Sequence, residues 1–147
     1  MRATTKYVLL MIVVLSVTAA AACYSSPSSP TAACPEGWDQ VTEYRLYFGR
    51  SDATGVPDAV SGEAWAQFLS DTVTPRFPDG LTVTDGAGQW RNDAGEILKE
   101  QSKILTLLVW PDDSALSRIN EIADEYERRF EQESVLLTSA PSCASFS

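Results

Sequence analysis

Seven polar residues in the second half of the chain carry chemistry that could serve one site: Arg76, Asp85, Gln89, Arg91, Glu100, Ser102 and Lys103. Two arginines and a lysine beside Trp90 would suit a small anion such as a carboxylate, a phosphate or a sugar acid, with the indole as one wall. Tyr47 supplies a further aromatic hydroxyl from a different part of the chain. Glu100 could serve as a general base only where burial raised its pKa. The competing reading is a surface cluster of cross-strand ion pairs, with Arg91 opposite Glu100, each contributing a fraction of a kcal/mol (about 0.2–1). Glu100 and Lys103 are three apart, so a regular strand sends them to opposite faces. Arg76 lies in Thr74-Pro75-Arg76-Phe77-Pro78-Asp79-Gly80, where two prolines fix the path of the connector. It can anchor an anion, or bind the carbonyls of its own loop.

Other chemistries are excluded by composition. The chain has no histidine, which removes the Ser-His-Asp and Cys-His nucleophile arrangements and the usual zinc sites. Gly86-x-Gly88 is too short for a phosphate-binding loop and reads as a turn. No EF-hand pattern is present, so neither a metal nor a cofactor is expected. The net charge of −9 repels phosphates and anionic lipids, which argues against a nucleic-acid partner.

These residues must be held by elements whose order can be read from periodicity. Glu43–Phe48 alternates, with Tyr44, Leu46 and Phe48 on one side and Glu43, Arg45 and Tyr47 on the other. After a Gly/Pro/Asp-rich loop, Ser61 can cap a helix with apolar positions at Trp65, Phe68, Leu69 and Val73, ended by Pro75. Leu81–Thr84 reads as a short strand, Asp85–Gly88 as a turn, and extended chain follows through Arg91. Asn92–Gly95 is a hairpin turn, leading into the long extended segment Ile97–Trp110. Asp112 or Asp113 should sit near the cap of a second helix, whose apolar stripe is Ala115, Ile119, Ile122, Tyr126 and Phe130. Asp124–Arg128 and Glu125–Arg129 are spaced to pair on its outer side. Val135–Thr138 is a last strand, stopped by Pro141. The order β-α-β-β-α-β is the ferredoxin-like arrangement, a four-stranded antiparallel sheet with both helices on one face.

That topology leaves one sheet face open. Both parities of Ile104–Trp110 are apolar, so part of this run points away from the helices and needs a cover. A second copy of the chain, a ligand, or the chain's own Trp38, Trp90 and C-terminal segment could supply it. A homodimer closing its two sheets over a cavity is one expectation. An envelope protein as partner is another.

The first 22 residues have a different purpose. Arg2 and Lys6 precede an apolar stretch from Tyr7 to Val17, then small residues up to Ala22, the anatomy of an export signal. Residues 1–22 are thus expected to be removed, residues 23–33 to form a Ser/Pro-rich tether, and residues 34–147 a single domain. Losing Arg2 and Lys6 takes the charge from −9 to −11. Ala20-Ala21-Ala22-Cys23 resembles the lipobox of bacterial lipoproteins, although Ala20 occupies a position where Leu is usual. Lipidation of Cys23 is one outcome; cleavage to a soluble protein and retention as an uncleaved anchor are the others. The count of three cysteines favours the first, because Cys34 and Cys143 then remain as a pair. The topology agrees, since the start of the first strand and the end of the last lie at one edge. The expected location is the bacterial cell envelope, facing the periplasm or the outside, with the membrane engaged through the lipid on Cys23.

Several runs are also recognisable together: YRLYFGRS at 44–51, WAQFLSDTVTPRFPDGLTV at 65–83, GQWR at 88–91, EQSK at 100–103 and RRFEQESVL at 128–136. They resemble the DUF3574 family of bacterial proteins, many of which carry export or lipoprotein signals. The resemblance covers residues 34–138 and implies a family without an assigned activity, so no catalytic residue is carried over. A ligand-binding or interaction module is the leading expectation. A small cofactor-free enzyme, with Arg, Glu and Tyr lining a cavity in a sheet-face dimer, is the alternative.

Overall fold

The computed structural model describes residues 33–52, 56–91 and 94–146. The export segment, Cys23 and the tether lie outside the described residues. Four strands and two helices follow in the order β1 (Asp39–Gly49), α1 (Gly62–Phe68), β2 (Thr82–Arg91), β3 (Ile97–Val109), α2 (Ala115–Phe130) and β4 (Leu136–Ala144). The sheet is antiparallel with strand order β2-β3-β1-β4. β4 lies beside β1, as the ferredoxin-like expectation requires, and the fold is α+β.

Phe48 explains where the helices go. Its ring lies 5.2 Å from Trp65 and 5.8 Å from Phe68 on α1, and 4.6 Å from Tyr126 on α2. Leu46, Leu105 and Leu107 share that face and are fully buried with Ile119 and Ile122. The stripe anticipated on α2 is the one that packs, with Phe130 partly buried at its end. Burying side chains of this size contributes roughly 1.5–3 kcal/mol each. The Ser61 hydroxyl caps α1 by accepting from the Ala64 N–H at 3.1 Å. The helix then widens into a π-helical turn, Leu69–Val73, before Pro75.

Three local expectations are corrected. β2 does not turn at Asp85–Gly88 but continues to Arg91; the ladder to β3 holds the glycines extended. β4 passes through Pro141, which an edge strand tolerates because its missing N–H can face away from the sheet. The expectation for the start of α2 holds: Asp112 lies near its cap, accepting from the N–H of the cap residue Ser114 at 2.8 Å. Arg128 pairs with Glu125 at 2.6 Å, one turn back, while Arg129 reaches Asp71 of the π-helical turn at 3.7 Å.

Cys34 and Cys143 form a disulfide across 109 residues of sequence, with Cα atoms 5.6 Å apart. Cys143 is the β4 partner of Gln40, so the bond fastens the start of β1 to the end of β4. The opposite sheet face keeps apolar side chains in the open. Leu136 and Leu108 are exposed, and the C-terminal Phe146 stacks on Trp110 at its margin, itself 91% exposed. The described part of the C-terminal segment therefore leaves the face open.

Candidate functional site

The open face becomes concave where three glycines replace side chains. Gly49 ends β1, and Gly86 and Gly88 are two apart on β2, so all three present the same face. Between them, on β3, stand Ser102, which pairs with both Gly49 and Gly86, and Glu100, which pairs with Gly88. A Cβ built on Gly49 would fall 2.6 Å from Glu100 Oε2. The Glu100 carboxylate thus fills the space that the missing side chain leaves. Tyr47, Trp90 and Leu136 line the surrounding concavity, about 670 Å³ in volume, with Ser51 and the segment after α2 at its side.

Several bonds hold this floor. The Tyr126 hydroxyl donates to the Gly49 carbonyl at 2.7 Å, tying the end of β1 to α2. Burial pushes the Tyr126 hydroxyl pKa well up, and the neighbouring Glu100 charge adds to that, so it stays a donor. Gln132 donates to the Ser51 carbonyl at 2.8 Å, which orders the loop after β1. Arg50 is turned to its own loop, donating to the Val60 carbonyl at 2.9 Å and pairing with Asp58 at 3.1 Å. Partial burial raises the pKa of Glu100, against the opposing effect of the Ser51 backbone N–H that its carboxylate accepts. The Ser51 hydroxyl is 91% enclosed, since the residue is 9% exposed, and has no hydrogen-bond partner.

The candidates named from sequence divide. Tyr47, Trp90 and Glu100 come together in this concavity. Lys103 faces the other side of the sheet, in register with Phe48, and is salt-bridged to Asp85 across β2. The three-residue spacing from Glu100 foretold that separation. Arg91 lies opposite Ile97 rather than Glu100 and donates to the Gly95 carbonyl at 3.3 Å; the anticipated Arg91–Glu100 pair does not form because the hairpin register puts Gly88 opposite Glu100. Arg76 belongs to a second, larger hollow of about 1150 Å³ between the 75–81 connector and Trp110. There it donates to the Thr72 carbonyl at 2.8 Å and to Glu121 at 3.2 Å. These bonds tie the connector to the π-helical turn and to α2.

The result is a site whose polarity differs from the anion cradle. Its acidic lining groups are Asp52, Glu100 and Glu133, against Lys99 alone. Among the described residues no group of His, Cys, Asp or Glu is arranged to hold a metal ion. The arrangement can accept hydrogen bonds from a ligand at Glu100 and present aromatic surface beside it. Sequence reasoning missed the glycines and Ser51. The period-two spacing of Gly86 and Gly88 was the available signal, because two glycines on one strand face clear a groove.

Two solved structures share the fold. A phage SAM lyase in complex with S-methyl-5'-thioadenosine superposes with a TM-score of 0.54 at 12% identity, covering 80% of this chain and 97% of the lyase. The same kind of phage enzyme in its apo state gives 0.53 at 15% identity, over 78% and 93% of the two chains. No curated protein matches by sequence. Over residues 43–146, spanning every element from β1 to β4, the sequence matches the family described as "Protein of unknown function (DUF3574)", and the chain belongs to that family.

Proposed function

We propose that this chain is a small-molecule-binding module of the bacterial envelope, with its site in the glycine-floored concavity. The observation that carries the reading is Glu100 laid over Gly49, a carboxylate held in the space that the missing side chain leaves. Gly49 and Gly86 leave room for the side chains of Glu100 and Ile104, whereas at Gly88 only Ser102 Oγ stands near, at 3.8 Å. A strand prefers larger residues than glycine, and the opening at Gly88 lets a ligand approach the backbone. The fold-level likeness to an enzyme that holds S-methyl-5'-thioadenosine supports a small molecule as ligand, and goes no further at 12% identity. Export through residues 1–22, lipidation of Cys23 and tethering by residues 24–33 complete the proposal. The Cys34–Cys143 disulfide agrees with an oxidising compartment.

A fragment screen by NMR tests the site. Hits should shift the amides of Gly49, Gly88 and Glu100, and hits confined to other surfaces would refute the reading. For the anchor, the mass of the mature N-terminal peptide decides: a diacylglyceryl group on Cys23 is expected, and an unmodified Cys23 would refute it.

The alternative, a cofactor-free enzyme, is favoured by one observation: the raised pKa of Glu100 moves it toward the range useful to a general base. In that reading a second copy covers exposed Leu136 and Leu108 and encloses the site. Native mass spectrometry of the mature protein would then give a dimer.

A further inference from the structure

We infer that the ligand of this concavity is a small organic cation, an ammonium group carried on a flat apolar ring, with Glu100 as its counter-ion and the Trp90 ring as its cover. The inference rests on the reading of the concavity as a ligand site and names the chemistry that the site takes.

Three observations converge on a positive ligand. The first is the disposition of the charges. The cations that could have held an anion are engaged elsewhere: Lys103 with Asp85 on the far face, Arg91 with the Gly95 carbonyl, and Arg76 with Glu121 and Thr72. Of the charged residues that line the concavity, three are acidic and one basic. An anion would meet net repulsion there, whereas a cation finds Glu100 at close range in a partly desolvated setting, where Coulomb attraction is stronger than in water.

The second is the aromatic lining. Trp90 and Tyr47 both border the space in which Glu100 sits. An indole face attracts a cation through its quadrupole, most of all when water is partly excluded. It also offers a flat ring a stacking surface, with open Gly88 two residues away on the same face of β2.

The third is Ser51. A hydroxyl enclosed to this degree, with no hydrogen-bond partner among the described residues, is rare in a folded chain. Ser51 borders the concavity, and its own backbone N–H holds the Glu100 carboxylate. An ammonium group has three N–H donors. Glu100 can accept from one, and Ser51, whose N–H holds that carboxylate, carries a hydroxyl oxygen with no partner of its own among the described residues.

The experiment uses the full chain, expressed with its export segment and purified in a non-ionic detergent, with detergent blanks. Three probes share an indole ring: tryptamine, tryptophol and indole-3-acetate, which end in an ammonium, a hydroxyl and a carboxylate. Calorimetry should rank tryptamine about tenfold or more above indole-3-acetate, as expected for a single charge-assisted contact. Glu100→Gln should reduce tryptamine affinity about tenfold and leave tryptophol unchanged. Trp90→Ala, at a surface position unconnected with the core, should weaken all three probes, tryptamine the most, and serves if the Glu100 variant misfolds. Tighter binding of indole-3-acetate, or tryptamine affinity indifferent to Glu100→Gln, overturns the cation and leaves the site reading intact. No binding of any probe overturns the cation too, and the fragment screen then decides whether the site reading falls with it.

Discussion

Gly49 and Glu100 occupy one volume in turn: the carboxylate of Glu100 reaches to within 2.6 Å of where a Gly49 Cβ would lie. Gly49→Ala should therefore displace Glu100 or bend the end of β1. A stability loss of about 1–3 kcal/mol is expected from overpacking, read by chemical denaturation. Tryptamine binding should fall with it, because the counter-ion no longer occupies its place.

Gly88 permits the opposite test. The nearest atom to a Cβ there is Ser102 Oγ at 3.8 Å, an ordinary contact, and valine suits a strand better than glycine. Gly88→Val should keep or raise the melting temperature while its side chain fills the concavity and removes fragment binding. A variant that still binds would show that the ligand lies elsewhere.

The raised pKa of Glu100 has a definite sign. A carboxyl whose pKa is higher in the folded chain than in the unfolded one binds more protons when folded. Stability from this group is thus greatest below the unfolded pKa and falls as pH rises through the folded one. Asp52, Lys99, Glu133 and the Tyr126 hydroxyl surround it, and Arg50 lies nearby, paired with Asp58. Glu100→Gln should raise the melting temperature at neutral pH and flatten the fall in stability that begins as pH rises above the ordinary glutamate range, about pH 4.3. Cation binding should run the other way, growing as Glu100 ionises. A variant less stable than the wild type at neutral pH would contradict the sign.

The disulfide closes 109 residues of chain. In the chain-entropy description, Cys143→Ser paired with Cys34→Ser should cost roughly 4–5 kcal/mol, less where the unfolded chain keeps structure. Equilibrium unfolding of the double variant measures it. The loss should appear first as exchange of the amides pairing β1 with β4, since the bond fastens that edge.

Arg76 is expected to be structural. Arg76→Ala removes the bonds to the Thr72 carbonyl and to Glu121, the second largely exposed and weak. A loss of about 1–2 kcal/mol should follow, with tryptamine affinity unchanged. Unchanged stability with lost binding would instead place the ligand in the second hollow.

Much of the fold was legible because local periodicity and global topology agree in this chain. Alternation around Tyr44, Leu46 and Phe48, the helical stripe ending at Tyr126 and Phe130, and the even pair Cys34 and Cys143 each pointed to the sheet-and-helix arrangement that forms. The errors fell where a residue has two uses. Glycine at 86 and 88 is a turn former in isolation and a groove former inside a ladder; proline at 141 stops a central strand and is harmless at an edge.

Element order, the buried face of β1 and the opposite orientation of Glu100 and Lys103 could all be read along the chain. These follow from periods of two and 3.6 and from short-range composition, which need no knowledge of distant neighbours. Only the tertiary structure decided which polar residues meet. The β2–β3 register put Gly88, not Arg91, opposite Glu100, and the end of β1 brought Gly49 beside them. Register is a property of two strands at once, and a shift of one residue would have turned every side chain to the other face.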